Sequence, residues 1–330
     1  MMNMKKLYII GNGFDIAHGL KTSYWDFRNY LEEHYHDFLY TFEYLYDIGQ
    51  FDSSDLRITE AARQKREESI QSKLWSEFEN NLGKPDFDMM LNDAENMSDS
   101  MADLDGGLVD IKDTMDEYWK NQYEYIEKLN QYVKEWIESV DTTHVKPKKK
   151  GLMRSEDYFL NFNYTDLLEN VYGIEDVLHI HGAVNTVGRW GDDDPIMGHH
   201  NYEDIESYKG KAYEADEAFR EDDTSIYNAI VNYLDVIYKD TDTINREHDA
   251  FWRELRDVNK VIIIGWSAGS ADLSYLRKIK NSVNESAKWY VYFYDDKAHL
   301  ALQQVMLSEG IEEKFDSSGI PVGEKCHFSQ

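Results

Sequence analysis

A single cysteine, Cys326, serves all 330 residues. That excludes an intramolecular disulfide and a zinc module built on four cysteines. Positive charge is also scarce: 35 Lys and Arg stand against 64 Asp and Glu, for a net charge of -29. General binding to a nucleic-acid backbone rests on neutralising phosphates, so it is not expected here, and an anionic membrane surface is disfavoured on the same ground. No apolar run approaches the roughly 18 residues of a membrane span. The first residues, Met1-Met2-Asn3-Met4-Lys5-Lys6, lead into only Leu7-Tyr8-Ile9-Ile10 before a glycine, which does not read as a secretory leader. A cytoplasmic protein with no membrane association is expected. Acidity of this size also fits a DNA mimic, although solubility explains it more simply.

What the sequence does contain is a series of short apolar runs ending in small or polar turns. Leu7–Ile10 runs into Gly11-Asn12-Gly13-Phe14-Asp15, and Val261–Ile264 into Gly265-Trp266-Ser267. Runs at Tyr158–Phe162, Val177–Ile180 and Trp289–Tyr294 are spaced by helical segments, including one expected over Ser225–Tyr238. Strands alternating with helices predict an α/β fold with a parallel sheet flanked by helices. In such sheets ligands collect at the carboxyl ends of the strands.

Between the first two strands lies a long helical stretch. Met115, Tyr118, Trp119, Tyr123, Ile126, Leu129, Tyr132, Val133 and Ile137 recur at three- and four-residue steps between Asp110 and Val140, and Leu56–Leu82 carries a similar stripe. The loop His144–Gly151, with one proline and four lysines, closes it. One domain over residues 1–330 is therefore expected, with a helical insertion over about residues 25–150 that serves sensing or assembly, for example in a homo-oligomer.

Glycines at 11 and 13 let the backbone approach a ligand closely, as in a nucleotide loop. Ile16 occupies the third glycine position of the dinucleotide fingerprint and no acidic-ended strand follows, which argues against a standard dehydrogenase. His179 and His181 share a strand face, and His199 and His200 follow, but no carboxylate falls at a ligand spacing, so no metal is expected. His179 reads as structural. His181, before Gly182 at a strand end, suits a general base. Asn163, alone, reads as a turn or cap residue. Gly265-Trp266-Ser267-Ala268-Gly269 matches the G-x-S-x-G nucleophile elbow, which makes a serine esterase an alternative. Its acid and base would have to come from Asp295 or Asp296 and His299 or His327, in a short remaining segment.

Taken with Ala17-His18-Gly19-Leu20, Thr22-Ser23-Tyr24, Leu74-Trp75, Leu82-Gly83, Phe162-Asn163-Tyr164-Thr165, His179-Ile180-His181-Gly182 and Asp272, these motifs resemble the bacteriophage abortive infection family AbiH. That resemblance implies a role in defence against phage and a phage-encoded trigger. A more distant similarity is to the sirtuin fold, and within it to defence domains that cleave NAD. It implies a Rossmann-like, sirtuin-like sheet. Asn163 and His181 would be the catalytic pair, with His181 as base and Asn163 holding water or ribose. Gly11, Asn12, Gly13, Phe14, Asp15, Gly265, Trp266, Ser267 and Asp272 would lie against the nucleotide, and Asp26 and Arg28 would shape its nicotinamide end. Thr165 departs from that pattern, where an aspartate is usual, and the zinc cysteines are missing. The missing cysteines favour NAD itself as substrate, with no bound cofactor, over an acylated protein. A sensor that binds NAD or ADP-ribose without cleaving it is the other alternative.

Overall fold

The computed structural model describes residues 5–51, 58–102, 111–148, 153–186, 189–190, 193–293 and 296–314. Five strands, β1 (Leu7–Ile10), β2 (Tyr158–Asn161), β3 (Val177–His179), β4 (Lys260–Ile264) and β5 (Lys288–Tyr292), form one sheet in the order β3-β2-β1-β4-β5. Every pairing is parallel. The strands are near-continuous apolar runs because both faces are covered. Leu7, Ile9, Leu160, Val261 and Ile263 enter one core, and Tyr8, Ile10, Phe159, Ile262 and Ile264 enter the other. The strand order changes direction between β1 and β4, so the chain's two glycine turns, Gly11–Gly13 and Gly265, leave neighbouring strands side by side.

Those turns interlock. Gly11 N–H donates to the Ile264 carbonyl at 3.0 Å and Gly13 N–H to the Gly265 carbonyl at 2.9 Å. A Cβ on Gly11 would run into the Trp266 backbone, and one on Gly13 would sit 2.9 Å from Gly265 Cα. Gly265 has φ +65°, a left-handed conformation that carries little penalty only in glycine. Close turn packing thus accounts for all three glycines.

The chain divides into two compact units. One comprises residues 1–26, 133–196 and 240–330 and contains the sheet. The other comprises residues 27–132 and 197–239 and is helical in its described parts. The helical stretch read from the sequence covers only the first of its segments. The second segment joins through Tyr202–Glu217 and Glu221–Val236, which pack on each other, the latter also on Phe87–Ala102 and Ile111–Tyr123. The long apolar repeat over 110–140 is broken by a 3-10 segment, Glu124–Lys128, between Ile111–Tyr123 and Leu129–Glu138. The tighter turn keeps both Ile126 and Leu129 buried. Among the described residues no helix is long and apolar enough to cross a membrane.

Candidate functional site

Asn163 lies two residues beyond the end of β2, and His181 two residues beyond the end of the adjacent, parallel β3. Both side chains are buried, Asn163 at 5% and His181 at 3% exposure. Around Asn163 the chain builds a dense polar network. Its Nδ2 donates to Asp15 Oδ1 at 2.7 Å and to the Gly11 carbonyl at 3.2 Å. Its backbone N–H donates to Asn161 Oδ1, and its carbonyl accepts from His179 Nδ1 at 2.9 Å. The other nitrogen of His179 pairs with Glu169 Oε1 at 2.8 Å. Asn163 Oδ1 is left buried with no hydrogen-bond partner among the described residues. Burying such an acceptor costs about 1–3 kcal/mol unless something pairs with it.

His181 sits in an aromatic cluster. Its ring meets Phe162 edge-on, at 5.4 Å between centroids and 84°, and lies 5.3 Å from Tyr275. Phe162 in turn stacks on Trp266 at 4.6 Å, and the Trp266 indole N–H donates to Asp272 Oδ2 at 2.9 Å. Trp266 and Asp272 therefore act as a wall for the histidine end of the site. Gly182 has φ +76°, and a Cβ there would collide with the Asp194 carbonyl. The loop from Asp193 is laced to this turn by Ala183 N–H to the Asp193 carbonyl and Ile196 N–H to the His181 carbonyl.

Asp15 is the second buried group of the network. Its Oδ2 accepts from Thr165 Oγ1 at 2.6 Å. Burial pushes its carboxyl up to about 7; the Thr165 and Asn163 hydrogen bonds and the nearby His179 only partly offset this. A carboxyl whose folded pKa lies above its unfolded value binds a proton more readily when folded. Stability is then fully present below the ordinary carboxylate range and is lost as pH rises through about 7. The slope between those limits reaches at most about 1.4 kcal/mol per pH unit. Asp15→Asn cannot titrate, so its stability relative to wild type should grow from pH 5 to about pH 7 and level off above it in urea unfolding. Parallel pH profiles for the two proteins would contradict the assignment.

Asn12 is tied to Thr22 through both amide atoms, at 2.6 and 2.7 Å, and Phe14 packs on His18 and Tyr172. Asp26 accepts from the backbone and hydroxyl of Ser23, while its own N–H donates back to Ser23 Oγ at 3.2 Å. That reciprocal pair is a capping box at the start of the helix Tyr24–His34. Arg28 is fully buried in the helical unit, where Nε and Nη2 donate to the two oxygens of Glu43 at 2.8 and 3.1 Å. Helix capping and ion pairing thus give Asp26 and Arg28 structural roles.

His199 belongs to the helical unit, donates from Nε2 to the Leu234 carbonyl and accepts at Nδ1 from Asn201 N–H. Burial lowers its pKa to about 4, so it is a neutral core histidine. Among the described residues no group of three or more metal-ligating side chains gathers. Ser267 is exposed, and the positive φ values near it fall on Gly265 and Ala268. The strained serine of a nucleophile elbow is therefore not found there. His299 is buried against Phe293 and pairs with Glu313 at 2.7 Å. His327, Asp295, Cys326 and part of the 144–151 loop lie outside the described residues. Thr165, Glu169 and Tyr275 were not candidates from the sequence. Only Thr165 carried a signal, as a hydroxyl inside the Phe162–Asp166 motif.

A cavity of about 800 Å³ lies within the helical unit, between Ile111–Tyr123 and Glu221–Val236, walled by Trp119, Tyr123 and Tyr233. It shares no residue with the strand-end motifs.

The family profile described as Bacteriophage abortive infection AbiH matches residues 7–293. No curated protein and no solved structure matches the chain.

Proposed function

We propose, for a chain that belongs to the bacteriophage abortive infection AbiH family, that it carries out its anti-phage abortive infection role by hydrolysing NAD to nicotinamide and ADP-ribose. The sheet order 3-2-1-4-5 supports a Rossmann-like, sirtuin-like reading, because ligands in open parallel sheets bind where the strand order reverses, at the carboxyl ends. The observation that carries the proposal is the Asn163 amide. Two acceptors hold its Nδ2, and a buried Oδ1 without a hydrogen-bond partner among the described residues remains at the strand end next to that of His181. An acceptor in that position is suited to a ribose hydroxyl or to the attacking water.

The reaction follows from those two groups. Water attacks the ribose C1′, the C1′–O bond forms, and the C1′–N bond to nicotinamide breaks through an oxocarbenium-like state. Nicotinamide departs neutral with the bonding electron pair, so no strong acid is required. His181 accepts the proton released by the water and passes it to solvent. Asn163 holds the water or ribose in line. Phe162 and Tyr275 surround the imidazole and limit its solvation, and the Trp266–Asp272 pair supports Phe162 from behind.

The purified protein should release nicotinamide and ADP-ribose from NAD in equal amounts, quantified by liquid chromatography. Tight binding of NAD that leaves it intact would overturn cleavage and favour the sensor reading. Covalent labelling of Ser267 by a fluorophosphonate, with no nicotinamide released, would favour the esterase.

A further inference from the structure

Asp15 is 1% exposed, and both its oxygens receive hydrogen bonds from uncharged groups, Oδ1 from Asn163 and Oδ2 from Thr165. The charged or titratable neighbours that face it are His179, which favours its ionised form, and Asp166, which opposes it. A carboxylate in such a place costs solvation that a neutral side chain would not. Its distinctive property is that, when ionised, it only accepts hydrogen bonds. The Gly11 carbonyl, the second neighbour of the Asn163 amide nitrogen, also only accepts. An amide facing two acceptors has one favourable orientation. Flipping it would bring Oδ1 against both oxygens and leave Nδ2 where Oδ1 now stands.

We propose that Asp15 is a positioning residue that locks the Asn163 amide, so that Oδ1 is always presented as an acceptor to a hydroxyl of the ligand or to the attacking water. The role in turnover rests on the NAD reading above; the lock itself does not. Thr165 completes the device. Its hydroxyl donates to Asp15 when the carboxylate is ionised and accepts from it when it is protonated, leaving Oδ1 of Asp15 free to hold Asn163 in both states. Asn163 orientation is therefore the same on both sides of the Asp15 titration.

The test uses full-length protein labelled with ¹⁵N in asparagine side chains, the Asn163 amide being assigned by its disappearance in Asn163→Ala. Wild type and Asp15→Asn should show a protected Asn163 amide, because the introduced amide accepts from Asn163 and donates to Thr165. Asp15→Ala should exchange at least about tenfold faster and lower kcat about 10²-fold, with KM nearly unchanged. Should Asp15→Ala fail to fold, Thr165→Val decides: its amide protection should fall as pH drops through the Asp15 titration, which moves above the wild-type value of about 7 because the Thr165 hydrogen bond that lowers it is gone, and leaves the protonated carboxyl without that partner. Amide protection in wild type should show no such step. Equal amide exchange in wild type and Asp15→Ala overturns the proposal, as does damage by Asp15→Asn equal to that by Asp15→Ala, or pH-independent amide protection in Thr165→Val. If the amide behaves as expected while wild type cleaves no NAD, the NAD reading falls and the lock stands.

Discussion

His181→Gln should reduce NAD hydrolysis by about 10²- to 10⁴-fold, the range expected when a positioned general base is removed. Glutamine keeps a polar side chain of similar reach between Phe162 and Tyr275, so the surrounding aromatic cluster survives better than with alanine. Asn163→Ala should cost a comparable factor, because it removes the acceptor and also leaves Asp15 Oδ1 without its 2.7 Å donor. The two changes need separate readouts. Loss at His181 should appear in kcat with its acidic limb removed, since the base no longer titrates. Loss at Asn163 should lower kcat without moving that limb. Steady-state kinetics across pH 5 to 9 distinguishes them, and full activity in His181→Gln would remove the histidine from the reaction.

The second large effect is on stability. Arg28→Ala should destabilise the protein by about 3–5 kcal/mol, the usual consequence of stripping one partner from a buried ion pair. Glu43 is 1% exposed and would keep only the Trp75 indole N–H, at 2.8 Å, as its partner among the contacts made by Arg28 and Trp75. Arg28 also lies 3.4 Å from Glu32 and over the Phe51 ring, so neither a lysine nor a methionine reproduces its contacts. Replacing Arg28 and Glu43 together by apolar residues should recover much of the loss. Urea unfolding followed by tryptophan fluorescence measures the wild type and both variants. Unchanged stability in Arg28→Ala, with a raised KM for NAD, would instead return Arg28 to the nicotinamide end suggested by its resemblance to the sirtuin segment.

The strands β1 to β4 were legible in the sequence because each is a short apolar run closed by glycine, asparagine or histidine, and β5 because it is the aromatic run beginning at Trp289. That is the signature of a parallel sheet buried on both faces. The helix Tyr202–Glu217 was not, because its buried face is made only of Ile205, Tyr208, Ala212 and Ala215 among many charges. Two alanines carry too little hydrophobic contrast to announce a helix by periodicity. The same limit applies to the candidate site. Motif spacing placed Asn163 and His181 at strand ends, but the bond between Asp15 and Asn163 joins residues 148 positions apart. No local pattern encodes such a contact. The cap formed by Ser23 and Asp26 was encoded locally, in the S-x-x-D spacing, and competes with any ligand role for Asp26. The glycine turns resemble a nucleotide loop because both need backbone atoms to come close. Here the close partner is the neighbouring turn, with Gly11 and Gly13 N–H groups already given to Ile264 and Gly265.

NAD cleavage by this protein is read out in cells expressing it, by mass spectrometry of NAD and ADP-ribose before and after phage infection, beside cells expressing His181→Ala. NAD should fall and ADP-ribose should rise only with the intact histidine, and protection against phage should be lost with it. Cells that resist phage while NAD holds steady, or that lose NAD equally with either protein, would contradict NAD cleavage by this site.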